Sequence, residues 1–234
     1  MFNALYLSPH FDDAVFSCGG QIYQRVRRGE WVVVVTVCAA PPPPPAEWSP
    51  FAAGLHARWS AQGAAAVNRA REDRAALAML GAESAHLAFH DCIYRRAVGG
   101  WLYASEQAIF GEMSPLEEGL VERVAAELGR VAEPASGGEV FSPFGLGHHV
   151  DHQLARRAAE RWSARAGVHL HYYADYPYAA SAPLAGFAEV ALSAEARQAK
   201  LRAFQAYSSQ LSTFWADEAA VAEAAGHWAE QVFD

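Results

Sequence analysis

Eight consecutive residues, Trp31-Val32-Val33-Val34-Val35-Thr36-Val37-Cys38, constrain this chain more than any other stretch. A strand with one wet face alternates apolar and polar residues, but here both faces are apolar. Such a strand belongs in the middle of a parallel sheet with helices covering both sides. Residues 2–7 read as an earlier buried strand. Residues 14–28 carry helical spacing, with Val15, Ile22 and Val26 apolar and Arg25, Arg27 and Arg28 near the end. Cations in a last turn, with Gly29 just beyond, fit a helix C-terminus. Strand, helix and strand in succession make a βαβ unit, so the expected fold class is α/β with a mostly parallel sheet.

The rest of the chain continues the alternation. A helix is expected over 54–80 and ended by Gly81, then a strand over 86–90. Residues 97–113 give no clear element. Ser114-Pro115-Leu116-Glu117 has the form of a helix start, with a capping Ser, Pro at the first position and Glu at the third. That helix should reach residue 132. A loop over 134–138, a short strand over 139–142 and a glycine turn over 143–147 follow, then a helix to 165. Strands are expected over 169–174 and 186–192, and helices over 193–207 and 218–233. Gly19-Gly20 inside the first helix costs roughly 1 kcal/mol each relative to Ala, which points to close backbone approach to the sheet. Pro41 to Pro45 should form a stiff polyproline II stretch.

Composition removes several function classes. The net charge of −8 argues against nucleic acid and anionic membrane surfaces, which call for a basic patch. Cys18, Cys38 and Cys92 are scattered in apolar runs, as reduced core thiols of a cytoplasmic protein are. No leader pattern opens the chain, and no apolar run reaches the roughly 18 residues of a membrane span.

The chemistry concentrates where strands end. Ser8-Pro9-His10-Phe11-Asp12-Asp13 follows the first strand, and His149-Val150-Asp151-His152 follows the glycine turn. In open α/β sheets the ligand site lies at the carboxyl ends of strands. Asp12 and Asp13 repel each other unless a cation is present. His10 and Asp13 can face one ion while Asp12 stays free. His149 and His152 share a helix face at their spacing. Two imidazoles and a carboxylate are a catalytic zinc set that leaves a position for water, whose pKa falls to near 7 on the metal. A carboxylate that is not a ligand can take its proton. Asp91 and Asp175, each after an expected strand, are candidates for the substrate rim. Trp48, beyond the prolines, is a candidate for stacking on a sugar. Asp91 reads equally as a turn cap, and Trp48 as packing.

The paired motifs, with Gly19-Gly20 downstream of the first, resemble those of the PIG-L/LmbE-like de-N-acetylases. Arg71-Glu72-Asp73 ahead of Leu80-Gly81, and Lys200 to Ser209-Gln210, extend the resemblance over residues 5–210. It implies a Rossmann-like, LmbE-like fold with helices on both faces, in one domain over 1–234. It also implies Zn²⁺-dependent removal of an N-acetyl group from an N-acetylglucosamine-type sugar, a small-molecule substrate. By position, His10, Asp13 and His152 would be the metal ligands and Asp12 the general base. His149 would be the cation that steadies the oxyanion and protonates the leaving amine, with Asp151 orienting and charging it. Fe²⁺ or another divalent ion suits the same ligands, and a homo-oligomer is compatible with the sequence.

Two positions depart from the pattern. Phe11 stands where Pro is usual. Gly147 stands where some relatives carry a Tyr that binds the oxyanion, so that either the neighbouring His148 substitutes or the oxyanion rests on the metal and His149 alone. Three rival readings use the same residues: an amidase acting on another sugar conjugate, a facial-triad Fe(II) oxygenase, and a non-catalytic sugar-binding protein. The strand–helix alternation argues against the second, and the presence of both Asp12 and His149 against the third.

Overall fold

The buried valine run pairs on both of its edges. In a computed structural model of the chain, which describes residues 1–61, 66–131, 133–179, 184–209, 221 and 228–234, β2 (Val32–Thr36) lies parallel to β1 (Phe2–Ser8) on one side and to β3 (Glu83–His86) on the other. β1 in turn pairs in parallel with β6 (Pro134–Pro143), and β6 with β7 (His169–Tyr173). Two short antiparallel strands, β9 (Gln231–Phe233) and β8 (Ala188–Glu189), complete the order β3-β2-β1-β6-β7-β9-β8.

The period-two geometry of a strand explains why both faces of β2 are apolar. Val32 and Val34 join one core with Ala4 and Tyr6, under α1 (Asp13–Arg27), α3 (Ala66–Leu80) and α7 (Ala194–Gln205). Val33 and Val35 join the other core with Leu5 and Leu7, under α5 (Glu118–Val131) and α6 (Val150–Ala166). The helices α2 (Pro50–Ala61) and α4 (Glu106–Ile109), with the small hairpin of β4 (Arg96–Ala97) and β5 (Gly100–Trp101), are the remaining α-helices and strands of the described residues. None of its helices is long and apolar enough to cross a membrane.

Several boundaries differ from expectation, for physical reasons. The third strand is Glu83–His86, not 86–90, because Val33 to Thr36 pair with Glu83 to His86. It is an edge strand whose polar start hides it in the sequence. The loop expected over 134–138 lies inside β6: Phe2 pairs with Pro134, and a register shift before Ala4 absorbs the glycines, with Gly137 at φ +73°. The span 54–80 divides into α2 and α3, with 62–65 outside the described residues. The strand expected over 186–192 shrinks to two residues. Of the helix expected over 218–233, residues 231–233 form a strand, and most of 218–227 lies outside the described residues. Glu117 does not close a capping box. It is buried and pairs with Arg95 (2.8 Å) and the Tyr103 hydroxyl.

Gly19-Gly20 does mark a close approach, though not to the sheet. A Cβ on Gly20 would meet the Leu192 side chain and lie 3.1 Å from Glu230 Oε1. The Gly20 and Gln21 amides donate to the Glu230 carboxylate at 2.7 and 2.8 Å. Lys200 Nζ lies 2.8 Å from the same carboxylate, and both side chains are buried. Breaking a buried pair leaves an uncompensated charge, so Lys200→Met should cost about 3–5 kcal/mol in urea denaturation. Lys200→Met combined with Glu230→Gln, which removes the uncompensated charge and keeps one acceptor oxygen beside the two amides, should cost less than Lys200→Met alone.

Candidate active site

Five parallel strands end on one edge, and the turns after β1, β6 and β7 supply most of the polar residues. After β1, the Ser8 hydroxyl donates to His10 O (2.6 Å) and accepts from the Ala14 amide (3.0 Å), folding residues 9–13 into a tight turn. Asp12 sits there at φ 102°, a left-handed backbone that costs a non-glycine residue roughly 1–3 kcal/mol and that surrounding contacts must hold. Asp13 opens α1 and accepts from the His10 amide at 2.8 Å.

After β6, the turn uses positive φ at Gly145, Gly147 and His148 to bring the chain to α6. His149 caps that helix: its Nδ1 accepts from the Asp151 amide at 3.2 Å. With Nδ1 an acceptor, the neutral ring carries its proton on Nε2. One turn further on, His152 places Nε2 3.5 Å from Asp13 Oδ2. Its Nδ1 lies 2.6 Å from Oδ1 of Asp175, which follows β7. The other Asp175 oxygen accepts from the Gly145 and Leu146 amides at 2.8 and 3.0 Å.

His10, Asp13 and His152 thus converge, with one donor atom of each within 4.8 Å of the others. The His10 ring lies 5.1 Å from that of His149 and 5.8 Å from that of His152. Two imidazoles and a carboxylate fit a divalent transition metal, and a carboxylate behind a ligand histidine is the usual outer support of such a site. Burial pulls the imidazoles of His10 and His152 down. The bonds of His10 to Asp13 and Asp151, and the Asp13 charge beside His152, outweigh that and raise both.

The two adjacent carboxylates are tuned apart. Burial pushes Asp12 up to about 7 despite Arg69, whose Nη2 is 3.5 Å away. Burial also acts on Asp13, but the His152 charge and the His10 hydrogen bond hold it at about 2. Opposed environments of this kind assign different roles to neighbouring acids. Burial lowers His149 to about 4.

Geometry bears on three expectations. The Asp151 carboxylate makes no hydrogen bond to the ring of His149 that it was expected to orient. Fully buried, it binds His10 Nε2 (2.9 Å), the Cys92 amide (3.0 Å) and Arg95 Nη2 (2.7 Å). An oxygen of Asp151 still lies within 4.8 Å of a ring nitrogen of His149, and its charge favours the protonated form of that ring. Asp175 stands behind His152 and not on a substrate rim. Trp48 is stacked on His56 at 3.7 Å and donates to Pro43 O at 2.8 Å, within a cluster that also holds Trp59 and Tyr94. Asp91 caps its turn, accepting from the Ile93 amide, and lies 3.6 Å from His10 Nε2.

Three further residues escaped the sequence reading. Arg95 bridges Asp151 and Glu117 from inside a stretch with no periodic pattern. Arg69 reaches Asp12 from α3, one turn before the acidic pair that drew attention. Tyr178 lies directly over Gly147, in the space a side chain there would fill, with its ring 6.1 Å from that of His152. His148 turns instead toward Gly111 O (3.3 Å) and Glu112 (3.9 Å).

A protein-family model described as PIG-L, GlcNAc-PI de-N-acetylase, matches residues 5–163. The zinc inhibited form of teicoplanin deacetylase Orf2 is similar at 30% identity and TM-score 0.80, over 98% of this chain and 96% of its own. A deacetylase–teicoplanin complex gives 28% identity and TM-score 0.77 over 98% and 96% of the two chains. The A40926 pseudoaglycone deacetylase Dbv21 gives 28% and 0.70 over 99% and 95%. Among curated proteins, none matches.

Asp175→Asn should weaken divalent-ion binding about 10–100-fold, read by competition with a chelator, because it removes the support of His152. A second expectation concerns the metal-free chain. The folded pKa of Asp12, about 7, stands above its ordinary 3.8, so this group costs stability as pH rises through that interval. Asp12→Asn should therefore be stabilising relative to the parent, by a margin in Tm that widens from about pH 4 to about pH 7.

Proposed function

The chain belongs to the GlcNAc-PI de-N-acetylase (PIG-L) family, and from that premise we propose that it is a divalent-metal hydrolase that removes the N-acetyl group from an N-acetylglucosamine-type sugar carried on a larger glycoconjugate. The observation that carries this reading is the tuning apart of Asp12 and Asp13 beside two imidazoles at the carboxyl edge of the sheet. The similarity to deacetylases of teicoplanin and of the A40926 pseudoaglycone favours a bulky aglycone over a free monosaccharide.

His10, Asp13 and His152 would hold the ion, with Asp175 fixing the ring of His152. A divalent ion held there would supply Lewis acidity, polarising the amide carbonyl and bringing the pKa of water near 7. Asp12 accepts a proton from the attacking water as the new C–O bond forms, and a pKa near neutrality suits that task. Arg69 and the strained turn keep its carboxylate in place. His149 acts as a neutral donor through Nε2–H toward the developing oxyanion. The cationic role expected for it is unsuited to a ring that burial holds at about 4. Cleavage of the C–N bond releases acetate, and the proton held by Asp12 passes to the departing amine.

Acetate release from N-acetylglucosamine, a chitobiose and an N-acylated glycopeptide tests the reading. Because zinc inhibits the teicoplanin enzyme as described, the chain should be loaded separately with Zn²⁺, Co²⁺, Fe²⁺ and Mn²⁺. Asp12→Asn should lower kcat by about 10²–10⁴ with its metal content unchanged. Bound metal with no acetate from any sugar would reject the substrate class.

A further inference from the structure

The edge of the sheet opposite the candidate active site carries a second cluster of metal-ligating side chains. His169 and His171 lie two apart at the start of β7, so they share a strand face, and their ring centroids are 4.3 Å apart. β9 runs antiparallel to β7 with Tyr172 opposite Phe233 and Tyr173 opposite Val232. Continued by one residue, that register sets Asp234 across from His171. One donor atom from each of His169, His171 and Asp234 lies within 4.8 Å of the others. We propose that these three residues form a second, surface site for a divalent transition-metal ion, which staples the C-terminal strand β9 to β7.

The orientation of His171 carries the assignment. Its ring is stacked on Phe141 at 4.7 Å, and its Nε2 lies 2.9 Å from Glu139 Oε1. Glu139 is itself paired with Arg25. An ionised carboxylate only accepts, so Nε2 carries the proton and the Nδ1 lone pair is turned outward. That nitrogen faces Asp234 Oδ1 at 2.5 Å. Between atoms that close only a proton fits; a metal ion bonded to each at about 2.0–2.2 Å would replace that proton and set them about 3 Å apart. The proton gives His169 no part, whereas His169 Nε2 stands 4.0 Å from the same oxygen, beyond a hydrogen bond but within reach of a shared ion. A metal uses all three donors, and Glu139 then stands behind His171 as Asp175 stands behind His152. Two imidazoles select Zn²⁺, Ni²⁺, Co²⁺ or Cu²⁺ over Mg²⁺ and Ca²⁺. The side chains of His169 and Asp234 are 62% and 79% exposed, which leaves water free to fill the remaining positions.

The staple has a structural target. β9 directly follows Glu230, which holds the centre of α1 and pairs with Lys200. Securing β9 against β7 secures that carboxylate.

Equilibrium dialysis of the full chain against Zn²⁺ or Ni²⁺, with metal counted per chain, tests the site independently of activity. The parent should bind one more ion than His169→Ala, and His152→Ala should keep that extra ion. Glu139→Gln should weaken it about 10–100-fold. Exchange of the 231–233 amides should slow on adding Zn²⁺ in the parent and in His152→Ala, but not in His169→Ala. Equal metal content in the parent and His169→Ala would overturn the site, and so would an extra ion that leaves exchange of 231–233 unchanged. The difference between these two proteins stands whether or not the first site binds metal.

Discussion

Three carboxylates, Asp13, Asp91 and Asp151, crowd around the single imidazole of His10 at 3.3, 3.6 and 2.9 Å. Like charges that close, with water largely excluded, do not stay ionised without compensation. Much of the local architecture supplies it. Arg95 is buried against Asp151, the Cys92 amide points at the same carboxylate, and His152 lies beside Asp13. Asp12 has less of such support, with Arg69 3.5 Å away, and burial raises its pKa to about 7. A cation-binding locus and a neighbouring base thus arise from a single distribution of charge.

That distribution depends on parallel strand order. β1 lies between β2 and β6, and β7 lies next to β6, so the turns after β1, β6 and β7 meet on one edge. β7 does this with unusual economy. Asp175 beyond its carboxyl end fixes His152 and the 145–146 turn together, while His169 and His171 at its start face the C-terminal strand. The far side of α1 is held with similar thrift: Glu230 joins two helix amides and Lys200 in one buried cluster.

The parts of the fold that were legible in the sequence are those where burial leaves no choice. β2 is apolar on both faces because both faces are covered, and α1 is bounded by its arginines and Gly29. β3 escaped detection because an edge strand tolerates polar residues, and the start of β6 because a register shift lets two glycines pass as a loop. In the site, proximity in sequence was a partial guide: Asp151 lies close to His149, but its hydrogen bonds go to His10 and the Cys92 amide.

The sequence by itself determined the α/β class and the two polar clusters at strand ends, through local periodicity and residue chemistry that has no place in a core. The choice of His10, Asp13 and His152 as candidate ligands came from the resemblance of those clusters to the de-N-acetylase motifs. Only the tertiary structure decided that Asp175 supports His152, that Arg95 neutralises Asp151, that Tyr178 occupies the space above Gly147, and that Trp48 packs on His56. The physical reason is common to all four. These contacts join residues from different strands and helices, and their partners are chosen by sheet order and side-chain direction, which no local pattern encodes.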